Sequence, residues 1–340
     1  MAITKWDEYL IHQMYDTMDK GEVDVDRLYL ACHDADGTLH LAVGMGVYPK
    51  ANIMDGYACV RHRNVQHNLR LSRHLQGDRS DTRIGPLLID VIEPLKRWGA
   101  YLNDNEHVDV RFEMEFVGRG APFLSRSSLI PFVHYNQPGR CKGSIVIDGQ
   151  RKDLNGFLGA RDRSWRMQLS PQPGMIWLGH FWIMAQFPDC WLSLHGVPLW
   201  EGFPPDFHAA LVYDNGQVVP IREVRHRVAL MPTVRALTGI ELLLTDDEGL
   251  KRHVVATPKS PALYIGGGAD YERQGQDKGS NSIEGERWHL SQPADDGSRP
   301  FGSLGMSEYI ADFQLDGTGG VGIFEISYCP DTTREYKPTW

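Results

Sequence analysis

The sequence predicts an all-β protein of antiparallel strands, closed into barrels or stacked as sandwiches, with one short helix at the amino terminus. Three features carry that prediction. Residues 108–116 (Val-Asp-Val-Arg-Phe-Glu-Met-Glu-Phe) alternate apolar and charged side chains, the pattern of a strand with one buried and one wet face. Tight-turn pairs recur at Asp36-Gly37, Asp148-Gly149, Asn215-Gly216, Glu248-Gly249 and Asp316-Gly317. Asp, Asn and Gly tolerate the left-handed backbone that joins neighbouring antiparallel strands. Strand signals also never alternate with helix-length amphipathic segments, so no parallel βαβ rhythm is present.

Taken in order, Trp6, Leu10 and Met14 follow helical spacing beside Tyr9, Ile11 and Met18, and Gly21 ends that helix. Residues 27–33 and 38–47 then form a hairpin, followed by strands over 84–93, 108–116 and 143–148. Residues 175–187 are apolar for long enough to be a helix, but their aromatic and β-branched content and the surrounding Gly and Pro favour a strand. Alternation gives that strand one face of Trp177, Phe181, Ile183 and Phe187 and another of His180, Trp182, Met184 and Gln186. Residues 190–197 follow, with Trp191, Ser193 and His195 on one side. Further strands are read at 211–214, 217–224, 240–245 and 250–256. The polar, glycine-rich run 266–305 reads as long surface loops. Strands over 309–315 and 320–328 close the chain.

Composition narrows the function. A chain of 340 residues, 41% hydrophobic and 23% charged, can bury a sizeable core. The net charge of −9 argues against nucleic acid as a partner. Arg222 to Arg227 is interrupted by Glu223, Val224 and His226 and reads as a wet strand face. Five cysteines (Cys32, Cys59, Cys141, Cys190 and Cys329) with no C-x-x-C pair suggest buried thiols rather than a zinc ribbon or a disulfide framework. The first residues lack the apolar core of a signal peptide, and no apolar run reaches about 18 residues, so a cytoplasmic protein without a membrane span is expected. A homodimer is compatible with the sequence.

Several catalytic motifs are missing. Gly44-Met45-Gly46 lacks the third glycine of a dinucleotide fingerprint, and neither G-x-x-x-x-G-K-[ST] nor G-x-S-x-G occurs. Fourteen histidines include no H-E-x-x-H, so no catalytic metal is expected.

The densest chemistry lies at 156–166, Gly-Phe-Leu-Gly-Ala-Arg-Asp-Arg-Ser-Trp-Arg. As a strand it places Arg161, Arg163 and Trp165 on one face and Asp162, Ser164 and Arg166 on the other. Asp162 then projects as an acid, a base or a ligand anchor, unless the cluster is an ion-paired joint between two halves of the fold. His180 and His195 sit among tryptophans, where an apolar wall keeps a histidine neutral and basic. Glu325 interrupts an apolar strand and shares a face with Val321 and Ile323, a setting in which a carboxyl holds its proton and serves as a general acid, unless it pairs with Arg161 or Arg163. Asp55 reads as a turn residue. Tyr57, Arg161, Trp165, Trp177, Trp182, Trp191 and Tyr309 complete the set as substrate-binding candidates, and the nine tryptophans suit an apolar ligand.

From Pro138-Gly139-Arg140 through Asp148-Gly149 to Gly159-Ala160-Arg161-Asp162-Arg163-Ser164-Trp165, the chain resembles the lipocalin-like proteins grouped with AttH and carotenoid 1,2-hydratase (hydroxyneurosporene synthase). Asn52-Ile53-Met54-Asp55-Gly56-Tyr57 and the closing stretch from Asp316 to Glu325 carry the same resemblance. It implies two tandem calycin-like β-barrel or sandwich halves, here residues 1–170 and 171–340, with a ligand cavity in or between them. It further implies hydratase- or pericyclase-type chemistry without a bound organic cofactor, and it carries Asp162 over as the site residue. Two positions depart from the pattern: Arg163 stands where a histidine is usual, and Arg166 where a glycine is usual. A guanidinium does not release its proton at working pH, so Arg163 cannot take over a proton-transferring histidine's role. The function expected is a cofactor-independent lyase, hydratase or isomerase acting on an isoprenoid, a steroid-like or a lignin-type aromatic compound. The alternative is a carrier that only sequesters an apolar ligand.

Overall fold

A computed structural model describes residues 5–8, 25–75, 81–126, 132–166, 181–197, 206–230, 237–259, 261–290, 305–328 and 338–339. The chain is almost entirely β-structure, in two antiparallel sheets. The first half supplies β1 (Val25–His33), β2 (Leu39–Tyr48), β3 (Ile53–His62), β4 (Val65–His74), β5 (Arg83–Ile84), β6 (Leu87–Glu93), β7 (Arg97–Leu102), β8 (Val110–Gly118), β9 (Phe123–Arg126), β10 (Phe132–Ile147), β11 (Gln150–Asp153) and β12 (Leu158–Arg166). The second supplies β13 (Phe181–Gln186), β14 (Cys190–Val197), β15 (Asp206–Tyr213), β16 (Val218–Leu230), β17 (Leu237–Asp246), β18 (Lys251–Pro258), β19 (Asn281–His289), β20 (Gly305–Leu315) and β21 (Thr318–Tyr328).

Strands β13 to β18, β20 and β21 close into an eight-stranded barrel. The other thirteen form a nearly closed sheet in the order β19-β4-β3-β2-β1-β12-β10-β8-β7-β6-β5, with β9 and β11 also paired to β10. This is the tandem, barrel-like all-β architecture expected from the sequence. Of the expected helix, Lys5–Glu8 forms a 3-10 turn, and the rest lies outside the described residues. No helix among the described residues is long and apolar enough to cross a membrane. Cys32, Cys59, Cys141 and Cys190 are buried free thiols.

Period-two alternation gives each sheet an apolar filling and a second face. Leu28, Leu30, Leu41, Val43, Phe112 and Phe116 fill the first; Phe181, Ile183, Leu192, Leu194, Phe313 and Phe324 fill the second. The opposite faces are buried too, because the sheets pack against each other through Tyr29, Ala31, Ala160, Trp182, Trp191 and Ile323. Small residues in β1, β2 and β12 allow that approach. At Gly44, an added Cβ would lie 2.4 Å from the Tyr57 ring, so glycine is what lets Tyr57 lie along the interface.

Residues 266–290 depart from the expectation of surface loops for the run 266–305, of which 291–304 lie outside the described residues. Ile265–Gly268 makes one helical turn and Tyr271–Arg273 a 3-10 turn, and β19 pairs with β4 at the edge of the first sheet. The segment is held by side chains of β4. Gln66 donates to Tyr264 O (3.0 Å) and accepts from Tyr264 N (2.9 Å), while Arg70 donates to the carbonyls of Gly267 and Gly268. Gly268 is required here, since a Cβ would meet Asn68 Oδ1 at 2.6 Å. Asp55, expected in a turn, lies within β3 and accepts from Gly275 N of this segment.

Strand β12 is pinned from inside. Arg161 pairs with buried Glu8 (2.9 Å) and stacks on Trp98 at 5.0 Å, while Tyr135 and Trp98 also donate to the Glu8 carboxylate. Arg163 pairs with buried Asp26 at 2.9 Å. Burial alone would push the Glu8 carboxyl upward, but Arg161 and these donors together hold it below its usual range. Removing one partner of such a pair strands the other without compensation. Glu8→Ala is therefore expected to cost about 3–5 kcal/mol, read as a lower urea midpoint. In the wild type this contribution is present above the ordinary glutamate value near 4.5 and is lost as pH falls through the depressed one, so the gap between the two proteins should narrow in acid.

Candidate functional site

Two cross-strand rows face each other across the interface. On the first sheet, ladder pairing sets Asn136, Asp162, Tyr29, Gly44 and Tyr57 side by side. On the barrel, the row is Glu308, Glu325, Trp182 and His195. Hydrogen bonds join them: Tyr29 donates to Glu308 Oε1 (2.8 Å), and Trp182 Nε1 donates to Asn136 Oδ1 (2.8 Å). The Tyr29 and Trp182 rings meet edge to face at 5.7 Å.

At one end is a carboxylate with two imidazoles. Asp162 Oδ2 lies 3.5 Å from His134 Nε2, and the Asp162 side chain is 20% exposed. The His134 ring lies 4.5 Å from that of His195. The orientation of Asn136 fixes the histidine's protons. The indole of Trp182 can only donate, so the Asn136 atom receiving it is the oxygen, and its Nδ2 then points at Ser193 Oγ (3.1 Å) and His134 Nδ1 (3.4 Å). A donor facing Nδ1 favours the tautomer with the proton on Nε2, directed at Asp162.

The other end holds a buried carboxyl pair. Glu308 is fully buried, and Glu325, opposite it in the ladder, hydrogen-bonds to it. Two carboxyls can share such a bond only with a proton between them, so they titrate as a unit. Burial raises the Glu308 carboxyl to about 8, against the hydrogen bonds from Tyr29 and Glu325 that favour its ionised form. His40 Nε2 lies 3.1 Å from Glu308 Oε2 but off the line a hydrogen bond requires. Burial pushes that imidazole well below its usual value, so this is a contact of neutral groups at pH 7.

Asp162, His195, Glu325, Tyr57, Trp182 and Trp191 thus come together at the interface. Arg161 and Trp165 face away from it, Arg161 onto Glu8 and Trp165 onto Tyr135, because consecutive residues of β12 point to opposite sides. Tyr309 points into the barrel filling, where its hydroxyl accepts from Leu237 N. His180 and Trp177 lie outside the described residues. Asn136, His134, Glu308, Tyr29 and Tyr271 were not singled out from the sequence. For Glu308 a signal exists, an acidic residue in the otherwise apolar alternation of Met306, Glu308 and Ile310.

A family model described only as a family of unknown function, DUF8625, matches residues 3–176. The chain belongs to that family. No curated protein sequence matches it. Among solved structures, a candidate AttH from Nitrosomonas europaea is 14% identical, covers 89% of this chain and 92% of its own, and superposes with a TM-score of 0.60. CghA, solved with Sch210972, is 12% identical, covers 90% of this chain and 88% of its own, and gives 0.52. Kievitone hydratase from Nectria haematococca, 11% identical with coverages of 89% and 88%, gives 0.48. The likenesses to the candidate AttH and to CghA establish the fold, which is lipocalin-like.

The buried acid has a thermodynamic signature. Unfolding lets Glu308 ionise near the ordinary 4.5, whereas the folded protein keeps its proton until about 8. The native state binds more protons in between, so this group's contribution to stability falls as pH rises from about 4.5 to about 8 and is flat above. Glu308→Gln, which keeps shape and hydrogen bonding, is expected to remove that slope and to be more stable than wild type at pH 8 in urea titrations.

Proposed function

We propose that the chain is a cofactor-independent acid–base enzyme, a lyase, hydratase or isomerase, acting on a hydrophobic small molecule held between its two β-units, residues 1–170 and 171–340. One observation carries the reading: a carboxylate with an attached imidazole (Asp162 and His134) and a proton-holding carboxyl pair (Glu308 and Glu325) project from facing sheets into one largely buried, aromatic interface. A carboxylate facing a carboxyl that burial keeps protonated makes a complementary base and acid. Asp162 withdraws a proton, with His134 and His195 beside it to pass the proton on, and the Glu308–Glu325 pair returns one. Trp182 and Trp191 supply the apolar wall, with Tyr57 as its hydroxyl. The chemistry asks only for proton transfers, so no organic cofactor is required. Isoprenoids, steroid-like terpenoids and lignin-type aromatics are the substrate classes of choice. CghA, which shares the fold, was solved with Sch210972.

The test is a mass-spectrometric screen in heavy water with pooled isoprenoids, steroids and phenolic dimers. Wild type should yield a product of altered mass or incorporated deuterium, and Asp162→Asn should lose at least about 100-fold in rate, the usual worth of a positioned acid or base. Retention of turnover within a few-fold by Asp162→Asn would make Asp162 structural. Tight retention of one compound by both proteins, unchanged in mass and isotope, would make the chain a carrier. Once a substrate is in hand, kcat should fall above about pH 8 as Glu308 loses its proton, and Glu308→Gln should lack that limb.

A further inference from the structure

Beside the carboxyl pair lies a feature that acid–base transfer alone does not use. Tyr57 of β3 and Tyr271 of the 3-10 turn following β18 hydrogen-bond through their hydroxyls at 3.0 Å, with ring centroids 5.9 Å apart. Two phenols carry two protons, and one hydrogen bond between them uses one. Among the described residues neither hydroxyl has another hydrogen-bond partner, so one O–H remains to be given. Tyr57 is almost fully buried and Tyr271 half-buried, which makes Tyr271 the phenol that a ligand reaches, with Tyr57 donating into it and strengthening its donation. Arg27 sets its guanidinium 5.8 Å from the Tyr271 ring centroid and donates to Tyr48. Tyr271 is also close enough to Glu325 and Asp162 to feel both carboxyl groups.

We infer that the Tyr57–Tyr271 pair, backed by Arg27, is an oxyanion site, and that the substrate is therefore an enolisable carbonyl compound. This rests on the reading of the interface as a site for an apolar small molecule. Asp162 takes the proton from the carbon next to the carbonyl, and the C–H electron pair moves through the carbon–carbon bond onto the carbonyl oxygen. The enolate oxygen accepts the Tyr271 hydrogen bond. Negative charge passes from Asp162 to that oxygen, so none is created in the buried interface, and the protonated Glu308–Glu325 pair beside it does not repel it. Return of a proton to carbon completes an exchange or an isomerisation.

A ligand-binding experiment separates this inference from the reading beneath it. 2-Naphthol, whose acidic hydroxyl imitates an enol, and naphthalene, which has the same apolar body without the oxygen, are titrated by fluorescence into the full chain, into Tyr271→Phe and into Tyr57→Phe/Tyr271→Phe. Wild type should bind naphthol at least about tenfold more tightly than naphthalene, the value of one good hydrogen bond. The double variant should lose that advantage while binding naphthalene as wild type does, which also shows that it is folded. Equal affinity of wild type for the two probes would overturn the oxyanion site and leave the apolar site standing. Equal loss of both probes in the double variant would make the tyrosines packing residues and likewise overturn it. Binding of neither probe to wild type would remove the apolar site and the inference together.

Discussion

The hydrogen bond from Tyr29 to Glu308 ties one sheet to the other at the point where burial is complete. Each of these sheets fills its own inside with apolar side chains and then covers its second face with the other. A polar group on that second face has no water to turn to, so it must find a partner across the interface or hold its proton. Trp182 finds Asn136, Asn136 finds Ser193, and Glu308 does both. The chemistry of the site follows from this constraint, since the burial that joins the sheets also raises the carboxyl.

The alternation of β12 then separates structure from chemistry on a single strand. Arg161 and Arg163 point inward to Glu8 and Asp26, and Asp162 between them points outward to His134. By sequence alone the central cluster reads either as a joint or as a site. The strand divides the two readings residue by residue: the arginines bind internal carboxylates, and the aspartate stands at the interface. The ion pair that could have absorbed Glu325 has its arginines engaged by Glu8 and Asp26 instead.

The excursion between β18 and β20 is a second joint. Its helical turn sits between β20 of the barrel and β4 of the first sheet, β19 pairs with β4, and Tyr271 reaches Tyr57 by this route. Polar, glycine-rich composition concealed the strand. A sheet-edge strand buries little, and β19 shows only partial burial along its length, so it leaves no strong apolar alternation to read.

Local chemistry in the sequence determined many of the strands, their turns and the face on which their residues lie, because period-two alternation and left-handed turn residues act over a few positions. Those rules suffice to place Asp162 opposite Arg161, and to group Trp182 with Met184 and Gln186 and Glu325 with Ile323. Only the tertiary structure decided which faces meet. The β20–β21 hairpin puts Glu308 beside Glu325, whereas the packing of two sheets brings His134 to His195 and Tyr57 to Tyr271. The partners brought together by packing, His134 with His195 and Tyr57 with Tyr271, are 61 and 214 residues apart in sequence. Their meeting depends on long-range pairing and burial, which no local pattern records.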